Sequence, residues 1–255
     1  LRESLIPEIF DDALYLMQKY VRPMFDNELA YRMEVGQMLD KMHSILQQSE
    51  LIKQRERIQL NIRIVNNNAV PLTKAEEEII KSRLLAQSVI SGNPLQILES
   101  RLPFYQTTTV FSVTEEDKKT KYVLCHEGQM YIVDSTNRPI YTISDKDFVL
   151  SSDSVAEYVL FFFDSVAGKH GKFYIPVSKQ DIPYKTSVSP DLLNQLAGTV
   201  NPLEIISVSD EVITLSGYIF FKDSLFRTTI KVNVKGVCQM YDEVLLMEGL
   251  PILVE

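Results

Sequence analysis

The chain has 255 residues, of which 45% are hydrophobic, and its 34 acidic and 26 basic side chains give a net charge of −8. This apolar content suffices for a folded core and excludes a wholly disordered chain. The acidic balance argues against nucleic acid as a main partner, because phosphate backbones favour clustered Lys and Arg through counterion release.

The first part of the chain has the periodicity of helices. Apolar residues recur at spacings of mostly three and four over residues 3–21 and 24–48, which predicts two amphipathic helices separated by Pro23. Residues 58–65 alternate between apolar and polar side chains, which predicts a strand.

A further helix is the best marked element of the sequence. Thr73 and Glu76 have the spacing of a capping box, so this helix is predicted to begin there. Gly92 and Pro94 are predicted to end it. Its predicted buried side consists of Ile79, Ile80, Leu84, Leu85 and Val89.

Beyond residue 100 the pattern becomes that of a sheet. Residues 104–114 and 121–126 are predicted strands, and residues 129–134 and 139–144 are predicted to form a second hairpin. A helix is predicted over 154–167, with Ser154 and Glu157 as a capping box and Gly168 as the C-terminal cap.

The last part of the chain reads as strands around one small helix. Residues 173–177 are a predicted strand, and Ser189 followed by Pro190 starts a short helix that Gly198 ends. The final predicted strands lie within 203–208, 211–222, 225–234, 237–247 and 250–255. Short turns between them favour antiparallel pairing.

These elements define an α+β class. We expect a mainly helical N-terminal region over residues 1–100, followed over 101–255 by a curved antiparallel β-sheet domain packed by one or two helices. The tripeptide Gln-Met-Tyr occurs at 129–131 and again at 239–241. Chance and an internal duplication are both open explanations.

Common catalytic and metal-binding motifs are absent from the sequence. His43, His126 and His170 fall on different predicted elements, so neither a catalytic residue nor a metal site nor a cofactor is predicted. Cys125 and His126 are adjacent on a strand, where side chains point to opposite faces, and we expect Cys125 inward and His126 outward. Cys125 and Cys238 are expected to be free thiols, and one long-range disulfide between them is the alternative if the protein is exported.

Five of the eight methionines lie in the first 42 residues. Methionine adapts to irregular surfaces, so Met33, Met38 and Met42 are candidate partner-binding residues on a helical arm. Packing of these side chains against the core is the alternative.

The predicted helix 154–167 carries an aromatic and aliphatic block over 158–163. A helix that is apolar on all sides is usually buried. The alternative is a ligand pocket between this helix and the sheet, lined by Phe161, Phe163, Tyr218 and Phe220. If such a pocket were catalytic, His126 would be the candidate general base.

The absence of catalytic motifs favours a non-catalytic protein–protein interaction or assembly protein, whose partner is another protein or a second copy of the chain. The alternative is a small-molecule binding domain or enzyme with the aromatic-lined pocket. The longest apolar block is too short to cross a bilayer. We expect a soluble protein, with the cytoplasm favoured. Because residue 1 is Leu, a processed chain that is exported or organellar is also open.

Overall fold

The computed structural model describes residues 60–116, 119–168, 171–184 and 188–252, and a few residues near position 40. The latter are Val35, Gln37, Met38, Asp40 and Lys41, all helical. The rest of the predicted helices 3–21 and 24–48 lies outside the described residues. The chain divides into two compact units, Leu1–Arg57 and Ile58–Glu255. The domain boundary predicted at residue 100 stays a prediction.

The second unit contains short helices and two groups of strands. The helices are α1 Arg63–Asn67, α2 Lys74–Ala86, α3 Arg138–Asp147, α4 Val155–Ser165 and α5 Pro190–Thr199. The strands are β1 Val70–Pro71, β2 Gln96–Arg101, β3 Thr109–Thr114, β4 Thr120–His126, β5 Gln129–Ile132, β6 Ala167–Gly168, β7 Gly171–Tyr174, β8 Glu204–Val208, β9 Val212–Phe221, β10 Ser224–Asn233 and β11 Cys238–Met247. The α+β class is confirmed.

Both sheets are antiparallel. The first has the order β1-β2-β3-β4-β5, and the second has the order β11-β10-β9-β7-β6, with β8 also paired to β9. Each sheet contains a meander of four strands that follow one another in sequence, β2–β5 and β8–β11. A helix precedes each meander, α2 in the first case and α5 in the second.

The Gln-Met-Tyr tripeptides occupy corresponding places in these meanders. Residues 129–131 lie on β5 and residues 239–241 on β11, the last strand of each meander. In both strands the Tyr hydroxyl donates to the Gln Oε1 two residues earlier, at 3.2 Å for Tyr131 and 2.6 Å for Tyr241.

The start of α2 is as predicted, but its end is not. The backbone N–H of Thr73 donates to Glu76 Oε2 at 2.9 Å, and Glu76 N–H donates to Thr73 Oγ1 at 3.4 Å, so the capping box is confirmed. The helix ends before Gly92, because Ser88 takes a left-handed φ of 57° and Val89 N–H donates to the Leu84 carbonyl. Of the predicted buried side, Leu84 and Val89 are buried and Ile80 is partly buried, while Ile79 and Leu85 are exposed.

The strand predicted over 58–65 is wrong, since the described residues 60–62 belong to no strand and α1 begins at Arg63. Ile62 and Val65 are both fully buried at a spacing of three, which one helical turn satisfies. Short apolar alternation does not distinguish the two structures when a single turn places both side chains inward.

The strand predicted over 139–144 is also wrong, since these residues belong to α3. Pro139 sits in the first turn of this helix, where its missing N–H costs nothing. Ile140, Ile143 and Asp147 are buried at spacings of three and four, which is a helical pattern.

The two later helices lie where the sequence places them. Ser154 occupies the N-cap of α4 but makes no side-chain capping bond, and Gly168 lies in β6 instead of capping the helix. For α5, Ser189 Oγ accepts the Leu192 N–H at 3.3 Å, so this predicted start is confirmed. The predicted strand 250–255 is described only to Ile252, which makes a single bridge to Tyr184.

The largest core cluster places α4 among side chains of both sheets. Phe161 of α4 is buried with Tyr122 and Leu124 of the first sheet and with Leu215 and Ile230 of the second. An apolar helix is therefore stabilised on several sides at once, as predicted for a helix with almost no polar face. Among the described residues, none of the helices is long and apolar enough to span a bilayer.

Candidate functional site

β11 forms one end of the second sheet. It pairs with β10 on one side, and no described strand pairs with its other side. Tyr241, Val244, Leu245 and Leu246 have exposed fractions of 37–45% along this strand, and we call them the edge surface. Isolated apolar residues are common on protein surfaces, but a run of them on an edge strand is unusual, because exposed edges are prone to pair with another chain.

An irregularity interrupts β11 before the apolar run. The pairing shifts between Arg227 and Thr229, so that Thr228 faces both Asp242 and Glu243. Asp242 has a left-handed φ of 54°, a conformation that Asp tolerates better than most residues. Bulges and charges on edges restrict strand pairing, so the part of this edge that follows Glu243 is the less restricted one.

A depression of about 260 Å³, here called the sheet pocket, crosses three adjacent strands beside this edge. Its lining residues are Ser216 of β9, Arg227, Thr228 and Thr229 of β10, and Asp242 and Val244 of β11. Arg227 and Asp242 bring opposite charges to the pocket, yet neither forms an ion pair or a side-chain hydrogen bond within the described part of the chain. The pocket therefore presents one cation, one anion, hydroxyl groups and an apolar side chain.

The sheet pocket was not predicted from the sequence. Arg227, Thr229 and Lys231 alternate along the face of β10 opposite the core, and this period of two is the signal that could have indicated it. The pairing of Arg227 with Val244 and the bulge at Asp242 could not be predicted from the sequence, because they depend on contacts between strands.

The predicted aromatic pocket residues lie in two separate clusters. Phe161 and Phe163 belong to the largest core cluster, where the Phe161 ring lies 5.4 Å from the Phe104 ring and Phe163 lies 6.1 Å from Phe173. Their neighbours here are other aromatic rings.

Tyr218 and Phe220 belong to a different cluster. Phe220 is fully buried with Leu196 of α5 and Leu225 of β10, and Tyr218 packs against the same group. The structure thus brings Phe161 together with Phe163, and Tyr218 with Phe220, but places the pairs in different clusters. A role for the four in ligand binding stays a prediction.

The candidate partner-binding methionines belong to the first unit. Met38 is helical and 37% exposed, while Met33 and Met42 lie outside the described residues, as do His43 and His170. Partner binding by these methionines stays a prediction.

His126 was predicted to point outward, but it is buried and takes part in a polar cluster with Asp147. The Asp147 carboxylate accepts the Thr108 N–H at 2.7 Å and the Thr107 Oγ1 hydroxyl at 2.9 Å. His126 Nδ1 lies 3.2 Å from Thr108 Oγ1 and 3.8 Å from Asp147 Oδ2. Burial acts to raise the pKa of Asp147, but hydrogen bonds from Thr108 and Thr107 outweigh it and lower that pKa.

Cys125 occupies the opposite face of β4 from His126. It is only partly buried and packs beside a smaller core cluster that contains Phe111 and Val123, so it is less enclosed than His126, against expectation. The reason is the loop at Thr107 and Thr108, which covers the His126 side. Cys125 and Cys238 are both free thiols, as expected, and burial raises the pKa of each.

A second buried charge cluster joins α1 to α4. Arg63 Nη2 donates to Asp164 Oδ1 at 2.8 Å, Arg63 Nη1 donates to Asp181 Oδ2 at 2.5 Å, and the guanidinium lies 4.3 Å from the Tyr174 ring centre. Burial acts to lower the pKa of Arg63, but its bonds to Asp164 outweigh this and raise it. This cluster was not predicted from the sequence, because Arg63 lies far along the chain from Asp164 and Asp181.

The described part of the chain contains no group of three or more His, Cys, Asp or Glu side chains placed to hold a metal ion. No protein-family model, curated protein or solved structure matches this chain.

Proposed function

We propose that this chain is a non-catalytic assembly protein, in which β11 of one copy pairs antiparallel with β11 of a second copy. The observation that supports the proposal is the run Val244-Leu245-Leu246, which is exposed on a strand whose outer side pairs with no described strand. Adding a strand to an exposed edge uses the same backbone hydrogen bonds that hold the sheet together. A twofold arrangement lets one surface serve both partners.

The charges of β11 favour a particular alignment of the two copies. When Val244 faces Leu245 of the second copy, Glu243 faces Leu246 and Asp242 faces Met247. Apolar side chains then meet at the centre, and no two carboxylates stand opposite each other. Alignments centred on Asp242 and Glu243 would oppose like charges.

The Met-rich helical segment is a second surface that the proposal retains. Partner contacts at Met33, Met38 and Met42 would be made by the first unit and do not depend on β11. The proposal for β11 rests on the described residues of the second unit alone.

The test is the oligomeric state of the full chain, measured by size-exclusion chromatography with light scattering over a wide range of concentrations. We expect a dimer for the wild type, and a dissociation constant raised about tenfold or more by Leu245→Lys, because Lys on an edge strand opposes pairing. The matched control is Val208→Lys on β8, which lies at another edge of the sheet and is also exposed.

Hydrogen exchange locates the contact independently. The β11 amides should exchange more slowly at high than at low protein concentration, while those of β8 should be unaffected. A monomer at every concentration, or a dimer that Val208→Lys disrupts and Leu245→Lys does not, would overturn the proposal.

A further inference from the structure

The sheet pocket contains two opposite charges that do not neutralise each other. Arg227 and Asp242 both line it, and within the described residues neither has an ion-pair or side-chain hydrogen-bond partner. Opposite charges elsewhere in the molecule do form ion pairs, since Lys235 lies 3.6 Å from Asp145 and Lys121 lies 2.9 Å from Glu115. The separation in the pocket leaves both charges available to a ligand.

This arrangement disfavours a ligand with one sign of charge. A simple anion at Arg227 would also face the Asp242 carboxylate, and a simple cation at Asp242 would face the guanidinium. A ligand that carries both signs a few ångströms apart satisfies both groups. Ser216 and Thr229 add hydroxyl groups that can donate or accept hydrogen bonds.

The dimensions and local backbone also indicate a small ligand. The volume of about 260 Å³ is slightly below the range typical of pockets for drug-sized molecules. Asp242 lies in the bulge of β11 with a left-handed φ of 54°. Bulges often re-aim side chains beside binding sites, and a non-glycine residue in this conformation is uncommon.

We infer that the sheet pocket binds a free α-amino acid with a small apolar side chain. The Arg227 guanidinium receives the α-carboxylate, Asp242 accepts hydrogen bonds from the α-ammonium group, and Val244 contacts the side chain. The inference goes beyond the proposed association and does not depend on it, because all six lining residues belong to one copy of the chain.

The first test compares three ligands of nearly the same shape by isothermal titration calorimetry on the full wild-type chain. L-Valine carries both charges, isovalerate lacks the ammonium group, and isobutylamine lacks the carboxylate. We expect saturable binding of L-valine, and binding about tenfold or more weaker for each analogue, because each leaves one charged group without its partner.

Two variants assign the charges to their residues. Asp242→Asn keeps the size of the side chain and its tolerance of the left-handed backbone, and should abolish the preference for L-valine over isovalerate. Arg227→Gln should abolish the preference for L-valine over isobutylamine. Arg101→Gln on β2, an exposed arginine of the first sheet, is the control and should bind all three ligands as the wild type does.

The wild-type comparison is decisive even if a variant fails to fold. No saturable binding of L-valine would overturn the inference, and so would equal affinities for L-valine and isovalerate, which would indicate a plain anion site. A preference for L-valine that survives Asp242→Asn would overturn the role of Asp242. Failure here leaves the oligomeric state unchanged, so the two proposals are distinguishable.

Discussion

The buried charges of this protein and those of the sheet pocket differ in how completely they are paired. Asp147 is buried and accepts hydrogen bonds from backbone and hydroxyl donors of one loop, while Asp242 is exposed and has no described partner. The two arginines differ in the same way, since Arg63 is bound by Asp164 and Asp181 whereas Arg227 has no ion-pair partner in the described part of the chain.

This difference indicates what the buried charges do and what the charges of the sheet pocket do. A buried charge is tolerated only when its partners replace the lost water, so the buried charges Asp147 and Arg63 hold loops and helices together. An exposed charge keeps its water and contributes little to folding, which leaves it free to bind another molecule. Substitutions that remove a buried charge should therefore lower stability, whereas substitutions that remove a charge of the sheet pocket should weaken binding and leave stability nearly unchanged.

The largest effect is expected for Arg63→Gln. Asp164 is nearly inaccessible, with 5% of its side chain exposed, and would lose its bidentate partner. An uncompensated buried charge costs about 3–5 kcal/mol of unfolding free energy. Urea denaturation of the variant and the wild type measures the loss.

A double variant checks the origin of that loss. Arg63→Gln combined with Asp164→Asn removes both charges, so it should be less destabilised than the sum of the single variants. Strict additivity would contradict the ion-pair explanation and indicate that Arg63 acts through its contact with the Tyr174 ring instead.

A smaller effect, about 2 kcal/mol at neutral pH, is expected for Asp147→Asn. Its carboxylate accepts Thr107 and Thr108 backbone N–H groups together with the Thr107 hydroxyl, and an amide replaces one acceptor with a donor. Urea denaturation at several pH values measures the change, with Asp153→Asn, at an exposed position, as the control.

The pH dependence of this effect has a definite sign. The pKa of Asp147 is lowered in the folded state, so the unfolded chain binds its proton first as the pH falls. Its contribution is fully present above the unfolded pKa of about 3.9 and is lost as the pH falls through the folded pKa. The stability difference between wild type and Asp147→Asn should therefore shrink below about pH 4. A constant difference across this range would contradict the role of ionised Asp147.

Elements with local sequence signals were predictable. The capping box at Thr73 and Glu76, the start of α5 at Ser189 and the meander over residues 204–247 all depend on neighbouring residues, and all are present. Two predicted strands, at residues 58–65 and 139–144, were wrong because they are short segments in which apolar alternation matched a strand while long-range contacts selected a helix.

The sites were much less predictable than the fold. Arg63 lies more than 100 positions from Asp164 and Asp181, and the residues of the sheet pocket meet only through strand register. The sequence suggested aromatic residues for a pocket, which stays a prediction, but could not show which of them share a cluster. The exposed run at 244–246 was visible as part of a strand, whereas its position at a sheet edge depends on the strand order.

The smallest effect on stability is expected at the sheet pocket. Arg227→Gln and Asp242→Asn should each change the unfolding free energy by less than about 0.5 kcal/mol, because both side chains are exposed and neither has a described partner. The double variant should be additive, in contrast to the pair Arg63 and Asp164. A loss above about 1 kcal/mol, or a clear coupling between Arg227 and Asp242, would mean that the two charges stabilise the bulge of β11 and would remove the distinction between the two regions.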